Sequence, residues 1–133
     1  NCKGSMGAGI AREFKKRFPD MFQEYKKRCR SKEFYPGFVY LKKNTPKWWV
    51  LNLATQERKG GAKLEYVEKC ILWISENYSK EGIESIAMPG IAAGLGGLDW
   101  EDVKTMINKI LDPLPIPIFV YEHFMKGVQG EEG

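Results

Sequence analysis

A chain of 133 residues, 43% hydrophobic and 13% aromatic, has apolar material for one sizeable core and hardly for two, because surface falls relative to volume only as domains grow. No apolar run approaches the roughly 20 residues of a membrane-spanning helix, and three widely spaced cysteines, Cys2, Cys29 and Cys70, fit neither a disulfide framework nor a zinc site. The net charge of +4 comes with interleaved acids, so it biases the chain weakly toward anionic ligands and supplies no basic run of the kind that marks a nucleic-acid module.

In chain order, residues 6–18 place Ile10, Phe14 and Phe18 at four-residue spacing with Arg12, Lys15, Lys16 and Arg17 between them, which predicts a half-buried helix beginning just after a glycine-rich turn. Pro19-Asp20 interrupts it, and Met21, Phe22, Tyr25 and Cys29 mark a second helix with Asp20 as its expected cap. Phe38-Val39-Tyr40-Leu41 and Trp48-Trp49-Val50-Leu51-Asn52-Leu53 are rich in β-branched and aromatic residues and flank the turn-like Asn44-Thr45-Pro46, so they read as a strand pair, the second being the better core candidate. A polar loop over residues 55–61 leads to a helix with Leu64, Val67, Ile71 and Ile74 as a buried stripe and Gly82 as its stop. Residues 83–88 form a candidate internal strand. Pro89-Gly90 and the loop to Gly97 follow, and then a helix capped by Asp99 with Val103, Met106, Ile107 and Ile110 inward until Pro113. Residues 116–121 are the last strand. The expected domain is 1–125, with residues 126–133 a frayed tail.

Strands alternating with helices predict a sheet covered on both faces, with ligands beyond the carboxyl ends of strands. Both glycine-rich segments lie at such ends. Gly4, Gly7 and Gly9 surround the start of the first helix, where backbone amides and the helix dipole meet an anion together. Gly90, Gly94, Gly96 and Gly97 offer the same after an internal strand, although glycines also serve tight turns. No Gly-Lys-Ser or Gly-Lys-Thr ends either loop, and neither carries the dinucleotide fingerprint with its distant acid. Triphosphate and ordinary NAD sites are thereby disfavoured.

Asn1-Cys2-Lys3-Gly4-Ser5-Met6-Gly7-Ala8-Gly9-Ile10-Ala11, with Phe14 to Pro19 after it, resembles the first ligand loop and helix of macrodomains. Asn52-Leu53-Ala54-Thr55-Gln56 resembles their central strand exit, and Ile86-Ala87-Met88-Pro89 with Gly94-Leu95-Gly96-Gly97-Leu98-Asp99-Trp100 their second loop and next helix start. The nearest pattern is the branch that includes terminal ADP-ribose protein glycohydrolase and the DNA ADP-ribosyl glycohydrolase antitoxins. This resemblance implies a three-layer α/β/α sandwich with a central mixed sheet. It also implies binding of ADP-ribose and removal of ADP-ribosyl groups from protein, DNA or small derivatives.

Carried over residue by residue, the implied ligand-binding set is Cys2, Met6, Gly7, Ala8, Gly9, Ile10, Thr55, Pro89, Gly90, Ile91, Ala92, Ala93, Gly94, Leu95, Gly96, Gly97 and Tyr121. Asn1 and Gln56 are the candidate catalytic residues, Asn1 also reading as a simple turn residue. No cofactor and no metal are expected, and the partners are ADP-ribose or an ADP-ribosylated macromolecule, with DNA as one such substrate and no membrane. The protein is expected to be a monomer, cytoplasmic or, if eukaryotic, nuclear.

The sequence departs from the family pattern in three places. Macrodomains have one or two strands before the position of Asn1, with an acid there for adenine, and this chain begins after them. The branch places a catalytic Lys where Gln56 stands, and an amide neither forms a Schiff base nor acts as a base near neutral pH. Its protein-directed member has an Asp where this chain has Gly96. Gln56 therefore also suits a reader that binds without cleaving. Arg58 and Lys59 read as a solvated loop, and Trp48, Trp49, Trp73 and Trp100 as core or sheet-covering residues. A base-stacking aromatic is sought among Tyr121, Phe124 and the surroundings of His123.

Overall fold

A computed structural model describes residues 1–43, 48–57, 59–93 and 96–121. Gly94, Leu95, Arg58, the turn at 44–46, Phe124, His123 and the tail at 126–133 lie outside the described residues. The elements run α1 (Gly9–Arg17), α2 (Pro19–Arg30), β1 (Val39–Lys42), β2 (Val50–Leu53), α3 (Leu64–Glu81), β3 (Ile86–Pro89), α4 (Trp100–Leu111) and β4 (Ile118–Tyr121).

Strands β1 and β2 pair antiparallel, Val39 opposite Leu53 and Lys42 opposite Val50. Strands β3 and β4 pair parallel, Ile86 opposite Ile118 and Pro89 opposite Tyr121, which requires a crossover that α4 supplies. The expected mixed sheet is thus present as two two-stranded ladders among the described residues. What makes the layers one domain is β2. Successive strand side chains point to opposite faces. Val50 and the following Ala54 belong to a core cluster with Cys2, Met6 and the α2 residues Met21, Phe22, Tyr25 and Cys29. Leu51 and Leu53 pack on a second cluster built from Val67, Ile71 and Ile74 of α3, Ile86 and Met88 of β3, and Val103, Met106, Ile107 and Leu111 of α4. Helices α1 and α2 therefore cover one face, α3 and α4 the other.

Several sequence expectations are corrected. Pro19 is the first residue of α2, its fixed φ starting the helix, so Phe18 occupies the cap position and Asp20 lies in the first turn. Helix α1 starts at Gly9, three residues late, because Met6 is turned into the first core cluster. The first strand is the more buried of its pair, Val39 and Tyr40 against Val50 alone. Leu64, at the solvent-facing start of α3, is exposed, as are Trp48 and Trp49, while Trp73 and Trp100 pack on the second cluster. Gly82 ends α3 as expected, in the left-handed region at φ 79°, and the Ile83 N–H returns to the Tyr78 carbonyl at 2.8 Å.

Candidate functional site

The first glycine-rich loop is held from beneath by α2. Tyr25 is 2% exposed, and its hydroxyl lies 2.7 Å from the Asn1 carbonyl, 2.8 Å from Asn1 Oδ1 and 3.3 Å from the Ser5 carbonyl. A buried phenol needs such acceptors. Burial, helped by the neighbouring Cys29, raises its pKa, so it remains a donor. The Lys3 N–H also donates to Asn1 Oδ1, at 3.0 Å. Both bonds fall on the amide oxygen, which leaves Nδ2 of Asn1 as a donor for something else. Gly4 sits at φ 88°, and a Cβ there would meet Lys26 Cγ at 3.6 Å and Cys29 Cβ at 3.7 Å.

Beyond this anchored base the loop opens. Gly7, Ala8 and Gly9 are exposed, and a Cβ on Gly7 or Gly9 would meet nothing within 4 Å. Gly9, at φ 60°, leads directly into α1. That helix has no side-chain cap on its first amides and no acid in its first turn, so its positive end is unclaimed. Cys2 and Met6 are buried in the core cluster, where burial raises the Cys2 thiol pKa, so they support the loop from inside and only their backbones are available to a ligand. Ile10 is half-buried at the helix start.

The second loop is built on contact with itself. The Ile91 N–H returns to the Pro89 carbonyl at 2.8 Å, Ala92 adopts φ 63°, and the Leu98 N–H binds the Ala92 carbonyl at 3.1 Å. A Cβ on Gly96 would lie 2.5 Å from Ala92 O, so glycine there is a packing requirement. Gly97, at φ 84°, has open space on its Cβ side. Gly90 and Ala93 lie half-buried on the same turn. Asp99 caps α4, its carboxylate accepting the Glu101 N–H at 2.9 Å, and Glu101 and Asp102 follow in the first turn. The positive end of α4 is already satisfied. Tyr121 pairs in register with Pro89, which puts the end of β4 beside the start of this loop.

The exit of β2 joins the two. Ala54 shares the core cluster of Cys2 and Met6. Two residues later, Gln56 forms an antiparallel bridge with Ala62, the Lys63 N–H reaches the Thr55 carbonyl at 3.3 Å, and the Ala62 N–H reaches the Gly96 carbonyl at 3.0 Å. Thr55 and Gln56 are thereby tied to the second loop while their strand rests on the first. A cluster that sequence reasoning missed lies alongside. Glu57 accepts a hydrogen bond from the Tyr66 hydroxyl and lies 3.4 Å from Lys63 Nζ. The Tyr66 bond, then Lys63, lowers the Glu57 pKa, while Glu57 raises that of Lys63. The signal was a carboxylate, an ammonium and a phenol at both ends of one short loop. Tyr25 was legible only as a core residue.

Among the described residues no group of three or more His, Cys, Asp or Glu is placed to hold a metal ion, and no helix is long and apolar enough to cross a membrane. None of the three cysteines, all buried, forms a disulfide.

Comparison with known proteins gives these loops a context. A DNA ADP-ribosyl transferase-DNA ADP-ribosyl glycohydrolase fusion protein of Thermosipho africanus is 33% identical over 91% of this chain and 36% of its own length. Human ADP-ribose glycohydrolase OARD1 is 31% identical over 87% of this chain and 73% of its own. The structure of Thermosipho africanus DarTG in complex with ADP-ribose matches with a TM-score of 0.85 at 33% identity, covering 97% of this chain and 38% of that one. The chain spans between 35% and 40% of the length of the bacterial relatives it matches. Residues 1–107 match the Macro domain family, and the chain belongs to it.

Proposed function

We propose that this macrodomain binds ADP-ribose and hydrolyses ADP-ribosyl groups from a modified macromolecule, with DNA, the substrate class named for its bacterial relatives, as the first choice. The observation that carries the reading is the bridge through Ala54, Thr55, Gln56 and Ala62, which connects an anion-ready helix start to a second glycine loop. Amides of Gly7, Ala8 and Gly9 take the diphosphate, aided by the uncapped end of α1. The loop from Pro89 to Gly97 closes over it, with Tyr121 at its edge. Asn1 donates from Nδ2 to the distal ribose, and Gln56 orients a water toward the anomeric carbon. Water adds there as the bond to the base or side chain breaks, and the leaving atom keeps the electron pair and takes a proton. The domain extends through β4, and its buried thiols suit a reducing compartment such as the cytoplasm.

Gln56 favours a second reading, a module that holds ADP-ribose without cleaving it, because it excludes an imine to substrate at that position. Incubation with ADP-ribosylated DNA and, separately, with ADP-ribosylated protein, followed by mass spectrometry of released ADP-ribose, decides between them. Release from DNA is expected, slowed about tenfold or more by Gln56→Ala. Release from neither substrate would leave the binding module. An unchanged rate in the variant would remove Gln56 from the mechanism.

A further inference from the structure

Helix α2 runs close along the backbone of the first loop. Tyr25, Lys26 and Cys29 are spaced as one side of that helix, and a Cβ on Gly4 would sit 3.6 Å from Lys26 Cγ and 3.7 Å from Cys29 Cβ. Against this side Asn1 turns two oxygens toward one phenol. Its backbone carbonyl lies 2.7 Å and its Oδ1 2.8 Å from the Tyr25 hydroxyl, with the Ser5 carbonyl farther off at 3.3 Å. One proton shared by the main chain and side chain of the same residue fixes the side-chain torsions of Asn1. The Lys3 N–H, which can only donate, meets Oδ1 at 3.0 Å, so the amide oxygen is the end that points inward.

These two anchors differ in kind. Lys3 is two residues away, a local contact that an exposed Asn makes and breaks in a turn. Tyr25 is 24 residues away on a helix with a buried face, and at 2% exposure it has no freedom to follow a moving Asn1. Burial raises the phenol pKa, so its proton is present throughout the neutral range. Asn1 itself is exposed, and among the described residues nothing accepts from its Nδ2.

We infer that Tyr25 is a positioning residue that turns the Asn1 amide outward, so that the site presents a fixed donor there and selects a ligand with an acceptor oxygen opposite it. This rests on the proposed function, in which Asn1 donates to the distal ribose, and adds what sets that donor. ADP-ribose carries ribose oxygens beyond its diphosphate and gains from the pinned amide. ADP, which ends at its β-phosphate, does not.

The first test needs no ligand. In ¹⁵N-labelled wild type the Asn1 Nδ2 group should give the heteronuclear NOE of an ordered site, and Tyr25→Phe should lower it there while the backbone amides of α2 keep theirs. The second is a double-mutant cycle read by calorimetry. Tyr25→Phe and Asn1→Ala should each weaken ADP-ribose binding about three- to tenfold, the range of one lost hydrogen bond. The double variant should bind no more weakly than Asn1→Ala alone, and affinity for ADP should stay within about twofold in all three. A merely structural Tyr25 would add its loss to that of Asn1→Ala and weaken ADP as well, because the diphosphate amides share the loop. An unchanged Asn1 NOE in Tyr25→Phe, wild-type affinity for ADP-ribose in that variant, or additive losses would each overturn the assignment. Wild type that binds no ADP-ribose counts against the proposed function, and the NOE still decides whether Tyr25 fixes the amide.

Discussion

The two glycine-rich junctions look equivalent in sequence, each a strand or loop leading into a helix, yet the structure equips them differently. At the first, α1 begins with no side-chain cap and no acid, over Gly7 and Gly9 positions open to solvent. At the second, Asp99 already satisfies the start of α4, Glu101 and Asp102 add negative charge, and Gly96 is spent on contact with Ala92. An anion gains from the first junction's dipole and amides and would meet carboxylates at the second helix start. In the proposed function this gives a division of labour, with the diphosphate at the first junction and the second contributing loop backbone alone. Glycine content by itself does not distinguish a phosphate cradle from a tightly wound turn; the state of the adjoining helix cap does.

The strongest way to break this comparison is Gly7→Glu. The position has room for a side chain, so the variant should fold, but it puts a carboxylate against the diphosphate. Calorimetry should show ADP-ribose affinity reduced by about 100-fold, or ~3 kcal/mol. Affinity near that of wild type would move the diphosphate elsewhere.

Alkali should loosen the first junction before the second. Cys2, Cys29, Cys70 and Tyr25 all lie in or against the first core cluster or its bordering helix, and burial pushes the Cys70 thiol up to about 12. A raised folded-state pKa on an acid means that the folded protein keeps a proton the unfolded chain releases. The stability is fully present below the unfolded thiol range and lost as pH rises toward the folded value. Thermal melting should lose about 2–3 kcal/mol by about pH 11, mostly through this thiol. A flat pH profile over that window would show that these groups are not buried.

Smaller effects sharpen the second junction. Gly96→Ala drives a methyl group onto the Ala92 backbone and should cost about 2 kcal/mol of stability by urea unfolding, with a loss of ADP-ribose affinity as the loop shifts. Asp99→Ala removes the α4 cap and should cost ~1 kcal/mol, roughly 3–5 °C in melting temperature, while ADP-ribose affinity stays within about twofold. A large loss of affinity in that variant would mean that α4 takes part in binding after all.

Much of this was legible in the chain because periodic burial is a strong signal. The stripe Val67, Ile71, Ile74 and the stripe Val103, Met106, Ile107 are buried as their spacing requires, and Asp99 caps α4 as its position before that stripe suggests. Failures sit at element ends, where local propensity gives way to packing. Met6 leaves the helical pattern to fill the core, Leu64 is exposed because it heads α3, and Pro19 begins a helix where a break was read. Trp48 and Trp49 resemble core residues by type and are half in solvent. In the loops, glycine positions were readable where positive φ, as at Gly4, Gly9 and Gly97, or close approach, as at Gly96, restricts the residue choice. The Tyr25 support of Asn1 and the Glu57, Lys63 and Tyr66 cluster depend on contacts across 24 and 9 residues of chain, which no local pattern encodes.

Titration of ¹⁵N-labelled protein with ADP-ribose, followed by amide chemical shifts, tests the two-loop site most directly. The amides of Gly7, Gly9, Gly96 and Gly97 should shift together and reach a common plateau at one equivalent of ligand. Shifts confined to one loop, or two loops saturating at different ligand concentrations, would contradict a single diphosphate held between them.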